Sequence, residues 1–173
     1  MTDGLVAQTQ RLQLRGATLA DAAFFVRLLN EPGWLRYIGD RGIRSQAAAE
    51  TYIEQRVCAQ YQAHGYGMYV VELRSSGLPI GICGLVKRDY LPEPDLGFAL
   101  LAAYAGQGLA YEAAQAVMAH VVSAFGIERL CAIVSQDNHR SIRLLERLGF
   151  RHAGAVSTPD GARAELYAAE ALA

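Results

Sequence analysis

Hydrophobic and polar positions change period along the chain, and the changes mark its elements. Residues 11-RLQLRG-16 alternate polar and apolar, the period of a strand. Thr18 then opens a helix, with Asp21 in capping-box position three residues on. The apolar pattern runs through 22-AAFFVRLLN-30 and stops at 31-EPG-33. The stretch 34-WLRYIGDRGIRS-45 has aromatics and three arginines but no period, and reads as irregular. Ser45 caps a second helix, 46-QAAAETYIEQRVCAQYQAH-64, closed by Gly65. Strands follow at 68-MYVVEL-73 and 79-PIGICGLVKR-88, joined by the turn 74-RSSG-77, and a third, 95-DLGFALL-101, comes after the break 92-PEP-94. A helix from Leu109 to Phe125 places Leu109, Ala113, Ala116, Val117, Val121 and Ala124 on one face. Residues 129-RLCAIVS-135 read as a strand. Ser141 to Leu148 reads as a helix with Ile142, Leu145 and Leu148 inward. The pair 150-FRHAGAVS-157 and 163-RAELYA-168 reads as two strands around 159-PDG-161. The order β-α-α-β-β-β-α-β-α-β-β predicts a mixed central sheet flanked by helices, α+β (α/β by some schemes). It excludes the strict alternation of a doubly wound dinucleotide fold.

Composition narrows this. A chain of 173 residues, 52% hydrophobic and 19% charged, fits one soluble domain spanning 1–173. A net charge of −1 gives no global field to draw nucleic acid or a membrane surface. Cys58, Cys83 and Cys131 are odd in number, far apart and in apolar surroundings, so they are expected as reduced core thiols, with no metal site. The N-terminal residues lack a signal-peptide pattern and no apolar run is long enough to span a membrane, so a cytoplasmic location is expected.

The stretch 104-YAGQGLAYEAA-114 asks for a chemical explanation. Gly106 and Gly108 directly precede a helix, although glycine costs about 1 kcal/mol against alanine in one. A strand, a glycine turn and a helix N-terminus form an anion site, because the first helical N–H groups have no internal partner. No Gly-Lys-Ser/Thr follows, so it is not a Walker loop, and Tyr111 stands where a dinucleotide fingerprint needs a third small residue. A close turn without ligand remains the plain alternative.

A second segment, 138-NHRSIRLLERLGF-150, makes the picture specific. Together the two resemble the GNAT superfamily of N-acetyltransferases, in the branch that includes ribosomal-protein alanine acetyltransferases. The family's Arg/Gln-x-x-Gly-x-Gly/Ala motif is matched in 105-AGQGLA-110 at Gly108 and Ala110, with Ala105 departing at the first position. The branch's Asn-x-x-Ser…Glu-x-Leu-Gly-Phe ending is matched by Asn138, Ser141, Glu146, Leu148, Gly149 and Phe150, and 95-DLGF-98 is similar to its acidic-x-Gly-aromatic strand.

The resemblance implies transfer of an acetyl group from acetyl-CoA, as co-substrate, to a primary amine of a protein N-terminus or a small molecule, by direct attack in a ternary complex. It implies that backbone around Gly106, Gln107, Gly108, Leu109, Ala110 and Tyr111 holds the pyrophosphate of CoA. Phe98, Ala99 and Leu100 would pair with the pantetheine arm, and Asn138 would hydrogen-bond it or cap its helix. N–H groups near Leu100 and Leu101 would face the thioester oxygen. Asp95 is the first candidate for the base, against an ordinary strand-start carboxylate in solvent; Glu93, Asp160 and Glu165 come after it. Many members place an acid tyrosine where this chain has Leu145, which leaves Ser141 as the hydroxyl nearest the sulfur. Arg140, Arg143 and Arg147 share one helix face, where one of them could meet the CoA 3′-phosphate. Trp34, Arg36, Tyr37 and Arg41 are the acceptor-side candidates. A non-catalytic acyl-CoA-binding module with the same fold is the second reading, and a nucleotide-binding domain of another kind the third. The acceptor, and monomer against homodimer, stay open.

Overall fold

The computed structural model describes residues 4–170 and 172. Eight strands form one sheet in the order β1-β2-β3-β4-β5-β6-β8-β7: β1 (Leu5–Gln8), β2 (Leu12–Arg15), β3 (Met68–Leu73), β4 (Pro79–Val86), β5 (Asp95–Leu100), β6 (Arg129–Val134), β7 (Arg151–Ser157) and β8 (Arg163–Glu170). Six of the seven junctions are antiparallel and one, β5 to β6, is parallel. Parallel neighbours need a crossover, which is α5 (Leu109–Phe125). The mixed sheet flanked by helices is the architecture expected from the sequence.

The order differs at the N-terminus. A strand, β1, pairs with β2 as a hairpin, so the chain opens β-β rather than β. Its four residues include no fully buried one, and Leu5 is 60% exposed, so little alternation betrays it. The first helix stops before 31–33 as expected, at Leu29 with Asn30 as its cap. Pro32 then also starts a short helix, α2 (Pro32–Tyr37), at the first position, where its missing N–H costs nothing. The segment expected to be irregular is therefore helical in its first half. The Thr18–Asp21 box holds, with Thr18 N donating to Asp21 Oδ2 at 2.9 Å, but a single 3-10 turn precedes α1 (Ala22–Leu29). Ser45 caps α3 (Gln46–Tyr52) by accepting from Ala48 N at 3.1 Å. A π segment (Ile53–Cys58) follows, then α4 (Ala59–His64), which Gly65 closes at φ +81°.

The core runs under the sheet from Leu12 and Leu14 through Phe25, Tyr69 and Leu85 to Val117, Leu130 and Phe150. On α5 the inward stripe is Leu109, Ala113, Ala114, Val117 and Val121. Ala124, expected on the same stripe, is exposed. α6 (His139–Arg147) begins two residues earlier than the pattern suggested, with Asn138 as its cap and Leu145 buried. Among the described residues, no helix is long and apolar enough to cross a membrane.

Candidate active site

The site follows from one break in the sheet. β4 and β5 keep register over six pairs, and β6 and β8 over another six. Between them, β5 and β6 share only Asp95 opposite Cys131, with Cys131 N donating to Pro94 O at 3.0 Å. Beyond Asp95 the two strands part. Leu101 donates its N–H to Ile80 O at 2.8 Å, on the β4 side. Backbone groups alternate along an antiparallel strand, so Leu100 and Phe98 turn theirs into the gap. Two expectations change as a result. Leu101 N–H is already engaged and cannot serve a thioester oxygen, and the Ala99 amide points toward β4 rather than into the gap. Gly81 allows this approach, since a Cβ there would come within 2.3 Å of Ala99 O.

The gap opens into a cleft of about 1390 Å³. Of the residues singled out from the sequence, Asp95, Phe98, Ala99, Leu100, Gly106, Gly108, Leu109, Ala110, Tyr111, Asn138, Ser141, Trp34, Tyr37 and Arg41 all line it. Gln107 and Arg36 do not. Gln107 turns its carbonyl outward to Arg11 Nη1 at 2.9 Å. Arg36 lies outside, 3.4 Å from Asp137 and over the Tyr37 ring. Asp160 borders the cleft, whereas Glu93 and Glu165 do not. Glu165 is instead held by His152 at 2.8 Å and Arg163 at 3.3 Å.

At one end the wall is backbone. Gly106 and Gly108 have φ of +77° and +76°, conformations that only glycine adopts without strain. A Cβ at Gly106 would meet nothing within 4 Å, so that side of the turn is open. The first i−4 hydrogen bond of α5 is Glu112 N to Gly108 O at 3.1 Å. The N–H groups of Leu109, Ala110 and Tyr111 thus have no helical partner, and they point out with the positive end of the helix dipole. This end has the room and the donors that a pyrophosphate requires.

At the other end the wall is side chain. Asp95 is only 4% exposed, not the solvated carboxylate that its strand-start position allowed. Arg88 Nε donates to its Oδ2 at 2.9 Å and Ile133 N to its Oδ1 at 3.3 Å. Burial outweighs both and pushes its pKa up to about 6. Tyr52, Arg56, Arg88, Trp34 and Tyr37 line the same cleft. Burial likewise raises the Tyr52 phenol. The indole Nε1 of Trp34 is buried without a partner. Tyr52, Arg56 and Arg88 were not singled out, because they come from a long helix and a loop that share no motif. Arg88 lies seven residues before Asp95, a spacing with meaning only once the 87–94 loop folds back.

The third wall is α6. Asn138 accepts from Ser141 N at 3.4 Å through its Oδ1, which makes it the helix cap and leaves its amide NH2 to donate. Ser141, three residues into the helix, faces the cleft beside Arg140 and Arg143. Arg147 lies 4.3 Å over the Tyr111 ring and so ties α6 to the first turn of α5. Cys83 and Cys131 are buried and unpaired, and Cys58 is half-buried. Desolvation pushes the Cys83 thiol up to about 12 and that of Cys131 to about 11.

This arrangement, a split parallel junction beside a glycine turn, is that of an acyltransferase, and the comparisons agree. The family model described as the acetyltransferase (GNAT) domain matches residues 11–151. The chain belongs to this family and is an acetyltransferase. It is similar to YoaA of Bacillus subtilis, described as an uncharacterized N-acetyltransferase, 29% identical over 154 residues, covering 87% of this chain and 85% of the relative. Among solved structures, a GNAT-family acetyltransferase from Bordetella pertussis superimposes with a TM-score of 0.78 at 29% identity, over 95% of this chain and 98% of the other. The fold is also that of RimL, a ribosomal-protein acetyltransferase solved with coenzyme A, with a TM-score of 0.82 at 20% identity over 96% and 98% of the two chains.

Proposed function

We propose that the chain is one acetyltransferase domain that carries the acetyl group of acetyl-CoA to a primary amine, on a protein N-terminus or a small molecule, by direct attack in a ternary complex. The observation that carries this reading is the continuity of the cleft, from the open N–H groups of 108–111, along the free backbone of Phe98 and Leu100, to the buried carboxylate of Asp95. The fit is chemical as well as spatial. Pyrophosphate suits the helix N-terminus, and the two amides of pantetheine suit a strand edge that lacks a neighbour. The Asn138 NH2 is placed to bind the same arm.

In the reaction, the neutral amine nitrogen attacks the thioester carbon, a C–N bond forms and the C–S bond breaks. The amine proton passes to Asp95, directly or through water, and the CoA thiolate takes a proton from solvent. A base with a pKa near neutrality is the useful one, and burial brings Asp95 to about 6. The Leu100 N–H is the donor left for the developing oxyanion, since that of Leu101 is bonded to Ile80. Ser141 Oγ donates a hydrogen bond to the sulfur. A covalent acetyl-cysteine route is disfavoured, since Cys83 and Cys131 hold their protons far above neutral pH. Trp34, Tyr37 and Arg41, with Tyr52, line the acceptor end. Arg36 acts only from outside, through its pair with Asp137.

The test is thiol release from acetyl-CoA against a panel of amines: peptides with free N-termini, polyamines, amino acids and aminoglycosides. Acetylated product from at least one class supports the reading. Tight acetyl-CoA binding with no product from any class would return the chain to the second reading, a binding module.

A further inference from the structure

The glycine turn at 105–108 is not held by packing. Gly106 has open space around it, and the nearest atom to a Cβ on Gly108 would be Arg11 Nη2 at 3.5 Å. Two glycines in the left-handed region lose much backbone entropy when fixed in one shape. What fixes them comes from the β1–β2 hairpin. Arg11 Nη1 donates to Gln107 O at 2.9 Å, and its Nε donates to Glu112 Oε2 at 2.7 Å while Nη2 lies 2.6 Å from the same oxygen. The other carboxylate oxygen of Glu112 accepts from Arg11 N at 2.9 Å and from the Thr9 hydroxyl. The hairpin is itself anchored to the next turn, for Arg74 N donates to Arg11 O at 2.9 Å and Arg74 Nη1 to Thr9 O at 2.7 Å.

We infer that Arg11, clamped on Glu112, is a positioning residue for the pyrophosphate-binding turn. Two effects follow from the geometry. A peptide unit is planar and its C=O and N–H point opposite ways. Drawing Gln107 O outward to Arg11 therefore turns the Gly108 N–H inward, toward the cleft that Gly108 lines. Glu112 also sits in the first turn of α5, where a loose carboxylate would cap the free N–H groups or repel an incoming phosphate. Arg11 and Thr9 hold that carboxylate away and neutralise it. Neither Arg11 nor Glu112 lines the cleft, so both act through the turn. This inference rests on the acetyl-CoA reading and assigns a residue that the motif 105-AGQGLA-110 does not contain.

The test compares two ligands, CoA and pantetheine, which keeps the amide arm but lacks the phosphates. Calorimetric titration is run on wild type, Arg11→Ala and Arg11→Lys. Losing charge-assisted hydrogen bonds to the turn is expected to weaken CoA about ten- to hundredfold in Arg11→Ala, with pantetheine affinity unchanged. Arg11→Lys falls between, because an ammonium reaches one partner rather than both. In turnover, KM for acetyl-CoA rises and kcat changes by less than about twofold. Thermal melting identifies any variant that loses its fold, and Arg11→Lys then carries the test. Equal weakening of both ligands, or CoA binding unchanged in Arg11→Ala, overturns the clamp alone. A wild type that binds no CoA overturns the acetyl-CoA reading beneath it.

Discussion

The two ends of the cleft are made of different materials. The end beside α5 presents main-chain N–H groups, and its side chains, Arg11 and Glu112, work from behind. The end beside Asp95 presents side chains from α2, α3, the π segment, β5 and the loop after β4. A ligand of fixed shape, such as a pyrophosphate, can be met by backbone, whose N–H donors every residue but proline supplies. A proton acceptor must have a tuned pKa, which demands burial and chosen neighbours. One end is therefore built from what all residues share, and the other from what distinguishes them.

The contrast can be broken first at Asp95. Asp95→Asn keeps the shape and removes the base, and is expected to lower kcat by about 10²- to 10⁴-fold with acetyl-CoA affinity within about twofold. Steady-state kinetics beside calorimetry checks the separation. The pH profile sharpens it. A base must be unprotonated, so kcat/KM should show a rising limb through about 6, below the further rise set by the amine's own ionisation at about 8 or above, and the lower limb should vanish in Asp95→Asn. Stability should move the opposite way. An unfolded aspartate titrates near about 4, so between there and about 6 the native state holds the extra proton and stability falls as pH rises. Thermal melts of wild type should show that slope, and melts of Asp95→Asn should lack it.

Smaller effects lie further from the reacting atoms. Ser141→Ala removes the hydroxyl proposed to bond the sulfur and is expected to slow turnover about two- to tenfold, read as kcat with CoA affinity unchanged. Arg36→Ala breaks an exposed pair 3.4 Å long between α2 and the turn before α6. Such pairs contribute little, so KM for the amine should change less than about twofold in the same assay.

The same division explains what could be read from the sequence. Gly106 and Gly108 announce themselves because two glycines, two residues apart, leave bare backbone directly at a helix N-terminus. Asn138 and Ser141 are visible because capping has a fixed spacing. Asp95 stands out from the sequence as the first base candidate, but its burial does not, since the groups that enclose and bond it, Arg88 and Ile133 among them, come from other segments. Tyr52 and Arg56 lie on a long helical stretch and carry no local mark of the cleft they face. β1 was missed because an edge strand with half-buried Val6 and Ala7 has almost no pattern to show. Pro32 was misread because proline both stops and starts helices, and only the cap geometry tells which. The Leu101 amide was misassigned because the alternation along β5 takes its phase from β4.

The central claim is that the backbone of 106–111 is a pyrophosphate cradle. Its most direct test is calorimetric titration of acetyl-CoA into wild type and Gly108→Asp, with ATP as a control. The substitution puts a strained residue at φ +76° and a carboxylate beside the free N–H groups. Micromolar binding by wild type, abolished by the substitution and weaker for ATP, is the expected result. Wild type that fails to bind at millimolar ligand, or Gly108→Asp that binds as wild type does, would contradict the account.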